Sequence, residues 1–241
     1  VTGAPGIFDT RIAYVAESGT GAGRVKRLAI MDSDGANHRF LTNGQSTVLT
    51  PRFSPDYKQI VYLSYVEKRP RIYIYDIGTG RQRVVTESAN QTFAPRFSPD
   101  GRWILYAMAV GGNTDIYRVS ASGGTPVRLT NSPGIDVGGS YSPDGRRIVF
   151  ESDRSGSQQL YVMNADGSGQ RRISFGGGGF NVTDFGFGGG TASWPRTGLR
   201  SHSGQPWFWA ADPATSHPVQ SPSCPWYSKA PSGRSAGICS W

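Results

Sequence analysis

Cysteine is missing from the first 223 residues of this 241-residue chain, and Cys224 and Cys239 stand alone near its end. That excludes a disulfide framework over most of the length and fits an oxidising compartment without requiring one. Nowhere does an apolar run approach the roughly eighteen residues that a membrane-spanning helix needs. Histidine occurs only as His38, His202 and His217, and no Cys/His spacing suits zinc. No block of like charge exists either. The net charge is +8, yet the 25 Lys and Arg are scattered, with only short pairs such as Arg146-Arg147 and Arg171-Arg172. A nucleic-acid groove concentrates its basic residues on one face or in one run. The scatter reads instead as solvated strand edges and turns, with no nucleic acid as partner. Val1 already lies inside a readable pattern, with no initiator Met and no signal peptide before it. The chain therefore reads as a mature piece or a fragment.

Glycine and proline, 33 and 16 residues, are plentiful, and they recur in step. Phe53-Ser54-Pro55-Asp56, Phe97-Ser98-Pro99-Asp100 and Tyr141-Ser142-Pro143-Asp144 lie 44 residues apart. So do Ile60-Val61-Tyr62, Ile104-Leu105-Tyr106 and Ile148-Val149-Phe150, and so do Thr42, Thr86, Thr130 and Ser174. Three independent markers keep one spacing without a slip, which is the mark of a repeat architecture.

Each period reads as four short strands. In residues 132–175 a first segment leads into Ser140-Tyr141, and Ser-Pro-Asp-Gly turns the chain. Pro presets φ, Ser and Asp bond nearby amides, and Gly145 tolerates positive φ. A strand at 147–151 follows, with apolar Ile148, Val149 and Phe150, then a loop at 153–157. Gln159-Leu160-Tyr161-Val162-Met163 is rich in β-favouring residues. Asn164-Ala165-Asp166-Gly167 makes the next hairpin turn, and 170–174 is the outer strand. Four antiparallel strands per 40–45 residues is the blade signature of an all-β propeller. Residues 44–87, 88–131 and 132–175 give three blades. Residues 11–42 give the last three strands of another, at 11–14, 27–31 and 38–42, so a strand from the far C-terminus is expected to close the ring.

The pattern stops after Ser174. Residues 176–241 hold five of the six tryptophans and both cysteines, with almost no β alternation. Two more blades and a closing strand need roughly a hundred residues at this period, and 66 remain. Two readings stay open for the tail. One is a genuine low-complexity, disordered extension. The other is an out-of-frame translation of further blades: codons CGA-TCG-CAT-TCN for Arg200-Ser201-His202-Ser203 also contain ATC-GCA-TTC, which encodes Ile-Ala-Phe.

The strings "YSPDGRRIVFESDRSG" and "LYVMNADGSGQRRIS" resemble the WD40-like repeat of TolB-like propellers, a repeat also found in prolyl-oligopeptidase-type peptidases. The opening "TGAPGIFDTRIAYVAES" is similar to the start of the propeller in the TolB family of the Tol–Pal system. The resemblance covers residues 2–175. It implies six blades in the full ring and a monomeric, non-enzymatic periplasmic interaction protein without cofactor. The partner at the channel mouth would be the lipoprotein Pal, and TolA would be engaged through a segment preceding this chain. Outer-membrane integrity, cell division and import of macromolecules such as colicins are the processes implied. The alternative is the propeller of a peptidase or of a carbohydrate-active enzyme such as a lyase.

In a propeller the segments before the innermost strands surround the channel mouth. Here they are Thr47-Val48-Leu49-Thr50, Gln91-Thr92-Phe93-Ala94 and Ile135-Asp136-Val137-Gly138, again in 44-residue register. Their sequences differ while the flanking turn stays similar, which suits an asymmetric partner better than a scaffold role. Read as loops, they present Leu49 and Phe93 as exposed apolar anchors.

Catalytic readings fare worse. Gly233-Arg234-Ser235-Ala236-Gly237 matches a nucleophile-elbow string, but only four residues follow it where a helix is required. Asp32-Ser33-Asp34-Gly35 begins like a calcium loop but lacks the Glu at position twelve, and it aligns with the hairpin turn at Asn164. The Gly-rich runs 176–179 and 186–190 lack the Lys-Ser/Thr of a phosphate loop. Asp56, Asp100 and Asp144 recur once per blade, so they would be spread around a ring rather than converge on one site. They read as turn formers. His38 reads as a surface residue of an outer strand.

Overall fold

The computed structural model describes residues 10–66, 69–88 and 90–175, together with the backbone of 180–181 and 190–191. Four antiparallel sheets follow one another along the chain. The first has three strands, β1 (Arg11–Ser18), β2 (Val25–Asp32) and β3 (Arg39–Phe40), in that order. The second holds β4 (Thr47–Phe53), β5 (Gln59–Val66), β6 (Arg69–Asp76) and β7 (Gln82–Thr86). The third holds β8 (Thr92–Phe97), β9 (Trp103–Val110), β10 (Asn113–Ser120) and β11 (Val127–Arg128). The fourth holds β12 (Asp136–Tyr141), β13 (Arg147–Ser152), β14 (Gln159–Asn164) and β15 (Arg171–Arg172). Strand order in each of the last three sheets is sequential, as in propeller blades. Two-residue strands β16 (Phe180–Asn181) and β17 (Gly190–Thr191) pair in parallel.

The turns form as their residues dictate. Ser54 Oγ donates to Asp56 Oδ1 at 2.6 Å, and the Gln59 amide donates to Ser54 Oγ at 2.9 Å. The Lys58 amide donates to Asp56 Oδ1 at 3.1 Å. Ser98 with Asp100 and Ser142 with Asp144 repeat the same bonds at 2.5 and 2.6 Å. Asp56, Asp100 and Asp144 are thus turn formers. The 32–35 segment is a hairpin turn too, with Gly35 at φ 86° and the Ala36 amide on Asp34 Oδ1 at 2.9 Å.

Packing explains why the second strand of each blade reads as an unbroken apolar run. Both faces of the second and third blades are covered by neighbouring blades, so successive side chains enter different cores. Ile60 and Tyr62 pack with Leu28 and Ile30 of the first blade. Val61 and Leu63 pack with Ile104 and Tyr106 of the third. Leu105 and Ala107 then meet Ile148 and Phe150 of the fourth. Burying each such Ile or Tyr side chain stabilises by roughly 1.5–3 kcal/mol. Cross-strand ring pairs recur in register: Tyr62 with Tyr73, Tyr106 with Tyr117, and Phe150 with Tyr161, centroids 5.6–6.0 Å apart.

Strand lengths depart from the sequence expectation at both ends of a blade. The segments expected at 11–14 and 27–31 extend to eight residues each, because their ladder continues through Glu17–Lys26 and Ser18–Val25 whatever the side-chain polarity. The outer strands of the first, third and fourth sheets shrink to two residues. Beyond them a hydroxyl replaces the ladder: Thr42, Thr130 and Ser174 accept from the amides of Leu28, Ile116 and Leu160 at 2.9, 2.9 and 2.8 Å. His38 precedes β3, is exposed, and lies 4.8 Å from the Phe40 ring and 5.9 Å from Tyr14. His202, His217, the 233–237 string and the Gly-rich runs, Gly190 excepted, lie outside the described residues.

Candidate protein-binding face

The innermost strands β4, β8 and β12 are neighbours in space, and each is broken by a bulge at the same place. The ladder with the next strand slips between Leu49 and Arg52, between Phe93 and Arg96, and between Val137 and Ser140. At each slip one residue turns to positive φ: Thr50 (48°), Ala94 (46°) and Gly138 (66°). Glycine adopts this conformation freely, whereas a β-branched Thr there is strained. Pro51 and Pro95 follow at once, and Pro is tolerated in sheets at edges and bulges. An extra residue bends the strand and re-aims the side chains before it.

All ten expected site residues fall at this end of the innermost strands, with two corrections. Apart from Gln91 they are not loop residues: they lie within the strands themselves. Thr47 and Gln91 are exposed. Leu49 and Phe93 are not exposed anchors. Each is half-buried, Leu49 against the core between the second and third blades, Phe93 and Val137 against that between the third and fourth. The pleat decides this, since one face of every innermost strand must help fill an inter-blade core. Thr92 and Asp136 are fully buried at equivalent positions. The apolar side chain that does stand out here is Ile135, 51% exposed, whose amide donates to Asp153 Oδ1 at 2.7 Å.

Asp136 was expected at this face from the sequence, but its partner was not. Arg154 Nη2 donates to Asp136 Oδ2 at 2.7 Å. Burial raises the Asp136 carboxyl above its ordinary range, and the hydroxyls of Ser152 and Thr130 and the charge of Arg154 oppose that rise. The register held a signal. Position 136 is Val48 and Thr92 in the preceding blades, and position 154 is Val66 and Val110, so both charges appear in one repeat together. At this end Thr47, Gln91 and Ile135 are exposed, and Leu49, Phe93 and Val137 are half-buried.

The TolB beta propeller domain family matches residues 1–191. The chain belongs to that family. A TolB-family relative, the Tol-Pal system protein TolB 1 of Novosphingobium aromaticivorans, is 71% identical over 77 residues, 32% of this chain and 17% of that protein. The Tol-Pal system protein TolB of Sphingopyxis alaskensis is 67% identical over 75 residues, 31% of this chain and 16% of that protein. Among solved structures, TolB from Acinetobacter baumannii superposes with a TM-score of 0.65 at 38% identity, over 72% of this chain and 44% of that one. The chain thus spans less than half of the TolB structure it matches. A puromycin hydrolase shares the propeller fold at 18% identity and TM-score 0.54, a likeness of fold alone.

Proposed function

We propose that this chain is a periplasmic component of the Tol–Pal system that works by protein–protein recognition and performs no catalysis. The observation that carries the reading is the 71% identity to a Tol-Pal system protein TolB over 77 residues. The partner is the lipoprotein Pal, received where β4, β8 and β12 begin, by Thr47, Leu49, Thr50, Gln91, Phe93, Ala94, Val137 and Gly138, with the buried Thr92 and Asp136 supporting them. Thr47 and Gln91 supply hydrogen bonds, and Leu49, Phe93 and Val137 form the apolar floor. Rigid, well-packed apolar residues ringed by polar ones are where interface energy concentrates. TolA is reached through sequence outside this chain. Outer-membrane integrity, cell division and macromolecule import, colicins included, are the processes served.

Binding of purified Pal to the immobilised chain tests the reading. Gln91→Ala and Phe93→Ala are expected to weaken it, Phe93→Ala by about tenfold or more. No binding to a folded chain, or unchanged affinity in both variants, would overturn it.

A further inference from the structure

The opposite end of the blades carries the Ser-Pro-Asp turns and the hairpins between third and fourth strands. In the third blade a cleft of about 460 Å³ opens there, lined by Arg102, Trp103, Ser120, Ala121 and Ser122. The repeat shows what sets this blade apart from its two neighbours. The positions of Trp103 are Gln59 and Arg147 in the neighbouring blades, those of Ser120 are Asp76 and Asn164, and those of Ser122 are Gly78 and Asp166. The longer turn residues fold back on their own hairpins. Asp76 Oδ1 accepts from the Thr79 amide at 2.8 Å, and Asn164 Nδ2 donates to Ser168 Oγ at 2.9 Å. Ser120 and Ser122 instead bond one another, Oγ to Oγ, at 2.6 Å. Their short side chains leave space, and the indole of Trp103 supplies a wall.

That wall is fixed. The Arg118 guanidinium lies 4.7 Å from the Trp103 ring centroid and donates from Nη1 to the Ala165 carbonyl of the fourth blade at 3.0 Å. Arg102, its side chain 79% exposed, borders the mouth, with Nε on Asp100 Oδ2 at 2.7 Å. That bond uses one N–H of a group that has five. The cleft therefore combines an aromatic face, two hydroxyls and a guanidinium with N–H donors beyond the one that Asp100 occupies.

We propose that this cleft is a subsite for an acidic sugar, a pyranose ring bearing a carboxylate. The C–H face of the ring packs on Trp103, and its hydroxyls exchange hydrogen bonds with Ser120 and Ser122. Its carboxylate meets the remaining N–H groups of Arg102, a charge-assisted pairing. A neutral sugar leaves those remaining N–H groups to solvent. An apolar peptide side chain is matched only by the indole and Ala121, since the other walls are polar. This subsite does not depend on the Pal reading, which concerns the other end of the blades.

Saturation-transfer NMR and titration calorimetry on the full 241-residue chain test it. The probes are a hyaluronan tetrasaccharide, which carries glucuronic acid, and neutral chitotetraose. The acidic sugar is expected to bind, with chitotetraose about tenfold weaker. Trp103→Ala should lower affinity for the acidic sugar by about tenfold. Ser122→Asp installs the residue of the fourth blade at that position, so the fold has room for it. Its carboxylate should remove the acidic preference with the thermal midpoint unchanged. No transfer to the hyaluronan tetrasaccharide, equal binding of chitotetraose, or unchanged affinity in both variants would overturn the proposal.

Discussion

Arg154 ties the fourth blade together through Asp136: its Nη2 donates to Asp136 Oδ2 at 2.7 Å, with the carboxylate side chain fully buried and the guanidinium 20% exposed. The same guanidinium group donates to Ser152 Oγ at 2.8 Å and to Gln170 Oε1 at 2.7 Å, and it lies 4.9 Å from the Tyr161 ring centroid. One side chain thus joins β12, β13, β14 and the approach to β15.

Removing the cation alone leaves a buried carboxylate without its partner. Arg154→Val should cost about 3 kcal/mol, at the lower end for breaking a buried pair, read from urea unfolding. Asp136→Thr combined with Arg154→Val transplants Thr92 and Val110 of the third blade. That double variant should come within about 1 kcal/mol of the parent, because an apolar replacement also removes the desolvation cost.

Two groups of carboxylates should push the pH dependence in opposite directions. Asp100 is held down to about 2, first by the Ser98 hydroxyl, with Arg102 assisting, and Asp56 and Asp144 are lowered chiefly by Ser54 and Ser142. A lowered folded pKa gives stability that is present above the unfolded value near 3.8 and lost as pH falls. Asp136 is raised by burial, so its contribution is present below 3.8 and lost as pH rises through its folded value. The stability lost on acidification from pH 5 to pH 2 should therefore be smaller in Asp100→Asn and larger in Asp136→Asn than in the parent. Urea midpoints across that range check both signs.

The bulges store strain that glycine would release. Ala94→Gly and Thr50→Gly should each raise stability by about 1 kcal/mol, since φ values of 46° and 48° cost L-residues on that order. Gly138→Ala, at 66°, should lower it by a similar amount. If the strained geometry also shapes the binding face, Pal affinity will fall in Thr50→Gly while stability rises.

Close approach between blades should separate two other glycines. A Cβ on Gly167 would lie 2.6 Å from the Leu129 carbonyl oxygen, backbone that cannot step aside, and φ there is 92°. Gly167→Ala should cost about 3 kcal/mol, the upper range for overpacking. On Gly139 the nearest atom is Leu105 Cδ2 at 2.9 Å, the end of a side chain that can rotate, so about 1 kcal/mol is expected. Thermal midpoints should rank the two.

Strands, turns and blade order were legible because their causes are local and repeated. Ser54, Pro55 and Asp56 make a turn from their own side chains, and Ile60-Val61-Tyr62 signals a strand buried on both faces. Leu49 and Phe93 were misread as exposed because residues before a turn motif carry no mark of where the strand starts. A half-buried Phe in a strand and an exposed Phe in a loop are the same letter. Arg154 was missed because its partner lies eighteen positions earlier, and only the ladder between Asp136 and Ser152 brings them within reach.

The sequence by itself determined the repeat, the four-stranded blade, and which residues shape each turn, since those depend on interactions within a few residues or on a fixed spacing. The tertiary structure alone decided which face of each strand enters which core, where the bulges fall, and which charges meet. Those outcomes depend on side chains from blades 44 residues apart competing for one closely packed space, and a linear pattern does not record that competition.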